Sequence, residues 1–248
     1  MKDNKNYTKQ YIDIVKALSY EFSVPQIFGD AIMMSSIALQ NSMHFKQDIE
    51  DEYFRIIKAY SKVQLDKLAT LHSLTVLALN THPHDFLGDV YMQLGIANSN
   101  IGQFYTPSYV CDLMAQLQVS QHSSEKLFTT VNDPTCGSGA MLIAHFKHMI
   151  EMGRNPQREC WYEGQDISAL SAHMCYVQMS LLGMPGRVII GDSLTNCQDY
   201  PTIYTPFHYL GAWHIKLNDH KPDTKEPIIE PTESKEKSVT ESIQASLF

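Results

Sequence analysis

The 248-residue sequence lacks the marks of a stapled, metal-bound or membrane-spanning protein. Its five cysteines, Cys111, Cys136, Cys160, Cys175 and Cys197, contain no Cys-x-x-Cys pair. Neither a disulfide framework nor a zinc knuckle is indicated, and a reduced, intracellular protein is the expectation. Lys and Arg number 19 against 27 Asp and Glu, for a net charge of −8, so the basic stripe usual in a free-standing nucleic-acid binder is missing. Met1 to Tyr11 has no apolar signal core. The longest uncharged run, Ile167 to Gly186, carries Ser168, Ser171, His173, Gln178 and Ser180 and is too polar for a membrane span. A cytoplasmic location is expected.

Glycine is absent between Gly29 and Gly88, and Pro83 is the sole proline between Pro25 and Pro107. Few breakers and a helical period go together here. Tyr53, Ile56, Ile57 and Tyr60 recur at i, i+3, i+4 and i+7, and Leu65, Leu68, Leu71 and Leu74 extend an apolar stripe, so residues 1–95 read as a helical region. From 96 to 217 the pattern changes. Short apolar runs at Leu127–Val131, Glu159–Tyr162 and Arg187–Ile190 alternate with helical patterns at 140–152 and 168–182. That alternation implies βαβ units and a parallel sheet. Residues 218–248 are rich in charge, Pro, Ser and Thr, with too little apolar surface to offset ordering entropy, and read as a disordered tail.

Asn132-Asp133-Pro134-Thr135-Cys136-Gly137-Ser138-Gly139-Ala140 stands between the first apolar run and a helix. Its glycines permit a tight turn and a close backbone approach, and the helix start after them offers free N–H donors. Asp133 disfavours a phosphate and suits a cation such as an amino group. No Gly-Lys-Ser/Thr follows, so this is not a P-loop. Cys136 stands where a nucleophile elbow needs glycine, so Ser138 is not a hydrolase nucleophile.

This stretch is similar to the S-adenosylmethionine-binding motif of DNA adenine amino-methyltransferases. It most resembles that of the M subunit of type I restriction-modification systems. Further stretches match in the family's order: Asp85-Phe86-Leu87-Gly88-Asp89-Val90-Tyr91 and Gly102-Gln103-Phe104-Tyr105-Thr106-Pro107 upstream, Gly164-Gln165-Asp166-Ile167 and Gly191-Asp192-Ser193-Leu194 downstream. The resemblance implies an α/β, Rossmann-like methyltransferase core with S-adenosylmethionine as cofactor. Phe104, Tyr105 and Thr106 would line its methionine end. Asp133 with Thr135, Cys136, Gly137, Ser138 and Gly139 would hold the amino-acid moiety. Asp166 with Ile167 would take the ribose, and Asp192 with Ser193 and Leu194 the adenine. Each has a plainer role beside it. Thr106 and Pro107 suit N-cap and N1 of a helix whose apolar stripe is Val110, Leu113, Met114 and Leu117. Asp166 suits a cap for the helix near Ser168.

The sequence departs from the family at the step on the base. The resemblance implies an Asn/Asp-Pro-Pro-aromatic motif after a fourth strand, yet no Pro-Pro pair exists. The nearest echo is Tyr204-Thr205-Pro206-Phe207, with Pro206 and Phe207 as weak candidates for lining a base pocket. Tyr200-Pro201-Thr202 reads as a turn, and His208–Leu217 as room for one more strand. The family's sheet has seven strands, so the core reads as truncated, its edge to be covered by the N-terminal helices, residues 200–217 or a second subunit.

The tail ends Gln244-Ala245-Ser246-Leu247-Phe248. Gln244, Ser246, Leu247 and Phe248 resemble the short peptide by which bacterial proteins dock on the DNA sliding clamp. Two functions remain open at this point. One is an enzyme methylating the adenine amine in DNA, reached through a partner such as the clamp, a restriction-modification subunit or a second copy. The other is a catalytically inactive binding or decoy protein that keeps the cofactor pocket.

Overall fold

The computed structural model describes residues 2–96, 106–120, 127–195 and 199–219. The helical region comprises α1 (Lys2–Leu18), α2 (Val24–Asn41), α3 (Gln47–Ile57), α4 (Lys62–Thr81) and α5 (Phe86–Gln93). Local chemistry sets their starts. Ser23 caps α2 by accepting from the Gln26 N–H, with Pro25 in the first turn. Ser61 and Gln64 form a capping box on α4. Asp85 caps α5. The predicted stripe is buried as expected at Ile56, Tyr60, Leu68, Leu71 and Leu74.

The α/β part runs α6 (Ser108–Ser120), β1 (Thr129–Asp133), α7 (Ala140–Glu151), α8 (Pro156–Glu159), β2 (Cys160–Asp166), α9 (Ala169–Leu181), β3 (Gly186–Ile190), β4 (Thr202–Tyr204), α10 (Pro206–Leu210) and α11 (Trp213–Asp219). The sheet order is β1-β2-β3-β4. β1, β2 and β3 are parallel, with Val131 opposite Tyr162 and Tyr162 opposite Gly186, and β4 is antiparallel to β3. This is an α/β, Rossmann-like core preceded by a helical region. One buried cluster joins the two parts, running from Tyr11, Phe28 and Phe86 to Tyr162, Val177 and Val188. α2 packs directly on α9.

Three expectations are corrected. A strand, Thr202–Tyr204, begins at the last residue of the stretch Tyr200-Pro201-Thr202 that reads as a turn, because Ile203 has a place opposite Val188 in the core. His208–Leu217 is not a strand but lies in α10 and α11, whose Trp213 is fully buried against Phe128 and donates its indole N–H to the Gln157 carbonyl. The α6 stripe faces outward: Leu113, Met114 and Leu117 are exposed, while Cys111 and Ala115 pack on Ala144 of α7. Small side chains win that interface because they let the two helices approach closely.

β4 covers the β3 edge, so of the three alternative covers residues 200–217 supply this one. The outer edge of β1 has no strand partner among the described residues. The far face of the sheet carries a polar network beside the buried Trp161. Asn132 donates to Glu163 at 2.8 Å, Glu163 pairs with Arg187, and the Arg187 guanidinium lies 5.5 Å from the Trp161 ring centre.

Candidate functional site

Parallel strands bring their carboxyl ends to one side of a sheet, and ligands of open α/β folds bind there, at the point where strand order reverses. Here that side carries Asp133 at the end of β1 and Asp166 at the end of β2, with Asp192 two residues past β3. Neighbouring strands lie about 4.8 Å apart, so three carboxylates far apart in sequence line one rim. The strand ends are bonded to each other. The Cys136 N–H donates to the Gln165 carbonyl at 2.9 Å, and the Gly191 N–H to the Asp166 carbonyl at 2.9 Å.

Asp166 organises the glycine loop. Its Oδ2 accepts the Gly137 N–H at 2.9 Å and its Oδ1 the Ser168 N–H at 2.8 Å. It therefore holds the loop and caps the entry to α9 together. A carboxylate has about four acceptor sites, so capacity remains for hydroxyl donors. Asp133 accepts the Thr135 N–H at 3.1 Å. Burial raises its pKa, the Thr135 bond opposes this, and the charge of Asp166 adds to the rise. A cation beside Asp133 would favour its charged form. Asp192 accepts the Leu194 N–H at 2.9 Å, and the Leu194 side chain stands almost wholly in solvent.

The loop needs its glycines. Gly139 has φ +98°, and a Cβ there would come 3.0 Å from the Cys175 sulfur. Cys136 and Cys175 pack side by side beneath the loop. Their mutual hydrogen bond, then burial, push the Cys175 thiol well above its ordinary range, so it serves as neutral filler.

Two residues that hold this loop were missed in the sequence. Asp85 lies within the stretch Asp85–Tyr91 and Gln178 within the uncharged run Ile167–Gly186, and no local pattern marks either for the loop. The Asp85 carboxylate accepts from the Ser138 hydroxyl at 2.5 Å, and the Gln178 amide donates to Asp85 and to the Ser138 carbonyl, both at 2.8 Å. Only tertiary packing brings these three together.

Thr106 is exposed at the start of α6, where Val110 and Cys111 donate to the Pro107 carbonyl. It lines a cavity of about 780 Å³ with Asp85, Asp89, His84, Cys111 and Lys147. Asp133, Asp166 and Asp192 do not line that cavity. Asp89 keeps one side in solvent, and partial burial, then the charge of Asp85, push it up to about 6. Phe104 and Tyr105, like Gln244, Ser246, Leu247 and Phe248, lie outside the described residues.

The placement of Pro206 and Phe207 corrects their candidacy. Thr205 bonds to Gly186 and to the Met184 carbonyl, at the opposite end of β3 from Asp192. Four strand residues at about 3.3 Å each put them roughly 13 Å from the carboxylate rim. Because β4 runs antiparallel, its exit lies beside the start of β3. Among the described residues, the Tyr200 ring stands at the rim against Gly191, with its hydroxyl 2.6 Å from Thr195 Oγ1.

A family model described as N-6 DNA methylase matches residues 82–235, more than half of the chain. The chain belongs to the N-6 DNA methylase family. Among members of restriction systems, it is 28% identical over 155 residues to the type I restriction enzyme MjaVII methylase subunit of Methanocaldococcus jannaschii, covering 57% of this chain and 25% of that protein. It is 32% identical over 118 residues to the MjaVIII methylase subunit of the same organism, covering 46% of this chain and 19% of that one. The chain thus spans a quarter or less of the length of these relatives. A solved type I restriction-modification methyltransferase subunit from Streptococcus thermophilus superposes with a TM-score of 0.41 at 16% identity, covering 80% of this chain and 60% of that one. Among the described residues of this N-6 DNA methylase family member, no helix is long and apolar enough to cross a membrane, and no cluster could hold a metal ion.

Proposed function

We propose that this chain binds S-adenosylmethionine and forms the donor-binding part of an assembly that methylates the exocyclic amine of adenine in DNA. The observation that carries the reading is the rim: Asp133, Asp166 and Asp192 at the ends of three adjacent parallel strands, with the glycine loop bonded to the middle one. The bound donor supplies an electrophilic methyl group on a positively charged sulfur. Asp133, already disfavoured as an anion beside Asp166, suits the donor's ammonium group. Asp166 keeps acceptor capacity for the ribose hydroxyls. Asp192 suits the adenine amine, and Thr106 the methionine end.

The base-handling residues are a different matter. With Pro206 and Phe207 at the far end of β3, the described residues offer no Asn-Pro-Pro-aromatic loop at the rim. A doubly wound sheet reverses order beside its first strand, and that is where the described sheet stops. This supports a second polypeptide, a restriction-modification subunit or another copy of the chain, as the source of base handling and of sequence specificity. An acidic chain also reaches DNA more readily through a partner than alone. The QASLF peptide suits the sliding clamp for that purpose. The buried, unpaired Cys111, Cys136, Cys160 and Cys175 suit the reducing cytoplasm.

The test mixes the purified chain with labelled S-adenosylmethionine and adenine-containing DNA, with and without a co-expressed restriction-modification specificity subunit. Donor binding by the chain alone and methyl transfer in the presence of the subunit are the expected results. Absence of donor binding overturns the cofactor assignment, and binding without transfer under both conditions overturns the catalytic one.

A further inference from the structure

The glycine loop is held from two sides, and the second side is not part of the sheet. Asp85, at the N-cap of α5, uses both carboxylate oxygens. Oδ1 accepts the Gly88 N–H at 3.0 Å and the Gln178 amide at 2.8 Å, and Oδ2 accepts the Ser138 hydroxyl. Gln178, on α9, is fully buried and also has every polar atom engaged. Its Nε2 donates to Asp85 and to the Ser138 carbonyl, while its Oε1 accepts the Leu87 N–H at 3.0 Å. The Leu87 donor fixes which end of the amide is oxygen.

Ser138 is itself 1% exposed, and both its hydroxyl and its carbonyl are gripped from outside the loop. Gly88 makes the approach possible. A Cβ there would fall 2.5 Å from the Ser138 oxygen and 2.1 Å from the Asp85 carboxylate. Immediately after Ser138 the chain turns through the left-handed Gly139 into α7. The conformation of that turn is thus set by where α5 sits.

We propose that Asp85 and Gln178 are positioning residues for the donor-binding loop, so that docking of the helical region sets the loop's geometry and through it the affinity for the methyl donor. The affinity part rests on the reading of this loop as the donor site; the loop-geometry part stands without it. Neither residue is assigned contact with the donor.

The experiment measures two quantities on the full chain: hydrogen exchange at the Gly137–Ala140 amides without ligand, and the dissociation constant for S-adenosylmethionine by titration calorimetry. In Asp85→Ala the loop amides should exchange at least about tenfold faster and the donor should bind about tenfold more weakly, since three donors lose their buried acceptor. Asp85→Asn should restore both to within about threefold, because its oxygen can accept from Gly88 and Gln178 while its amide donates to the reversible Ser138 hydroxyl. Ser138→Ala, which leaves Asp85 two of its partners, provides a gentler variant should Asp85→Ala not fold, and is expected to fall between them. Tyr60→Phe, which removes the 2.6 Å bond to Asp30 elsewhere in the helical region, is the control.

Loop exchange in both Asp85→Ala and Ser138→Ala equal to that of Tyr60→Phe overturns the proposal. So does Asp85→Asn failing as completely as alanine. If the unsubstituted chain binds no donor, the donor reading fails alone, and the exchange data still decide the positioning role.

Discussion

Asp166 Oδ2 accepts the Gly137 N–H at 2.9 Å while its Oδ1 accepts the Ser168 N–H at 2.8 Å, so one side chain fixes the glycine loop to the start of the next helix. Asp166→Ala orphans both donors. The expected cost is about 1–3 kcal/mol of stability, together with loss of measurable donor affinity. Urea unfolding and calorimetry check it. Unchanged donor affinity with lowered stability would show Asp166 to be a cap and nothing more.

Gly139 and Gly29 predict opposite signs for the same substitution. Gly139→Ala forces a side chain into φ +98° and against the Cys175 sulfur, and should destabilise by about 1–3 kcal/mol. Gly29 lies inside α2 with nothing within 4 Å of a built Cβ, and Gly29→Ala should stabilise by about 0.5–1 kcal/mol. Urea midpoints of the two variants decide between them.

Acid should weaken the fold as pH falls from about 6.5 towards 4. Burial pushes His173 down to about 4, where its Nδ1 lies 2.9 Å from the Ser36 hydroxyl. Burial, then the charges of His214 and Arg187, push His208 down to about 4, where its Nδ1 accepts the Trp161 indole N–H. Both rings are neutral in the folded state, whereas unfolded histidine titrates near 6.5. Their contribution is complete above about pH 6.5 and is lost as pH falls towards 4. Asp89, raised to about 6, works in the other direction, since its protonation in that window favours the folded state. Asp133, also raised by burial, acts with Asp89, while burial lowers His72, His82 and His84 as well, so the five rings outweigh the two carboxyls and leave a net loss. His173→Asn should lower stability at pH 7 and flatten the slope between pH 6.5 and 4. An unchanged slope would remove His173 from the account.

Deleting Gln244–Phe248 should abolish binding of the full chain to a bacterial sliding clamp in a pull-down or calorimetric assay, and leave donor binding unchanged. Clamp affinity equal to that of the full chain, or none in either, would refute the proposed docking peptide.

The legible parts of the sequence were those with a local cause. The α9 face showed in the period of Leu170, Met174, Val177 and Leu181, and the structure buries Met174 and Val177 with Leu170 and Leu181 packed beside them. The predicted strands moved only slightly, from Leu127–Val131 to Thr129–Asp133 and from Glu159–Tyr162 to Cys160–Asp166. The α6 stripe misled because period reports one apolar face, while packing against α7 depended on small side chains at Cys111, Ala115 and Ala144. Tyr204-Thr205-Pro206-Phe207 misled because four letters carry no strand direction.

The sequence by itself determined the alternation of strand and helix, the glycine loop and the acidic residue at or just past the end of each parallel strand, since each is written in neighbouring residues. Only the tertiary structure decided that β4 runs backwards and carries Phe207 away from the rim. It alone showed that Asp85 and Gln178, 93 residues apart, close on Ser138. Hydrogen bonds between buried side chains depend on which elements pack together, and that is settled by the whole core at once.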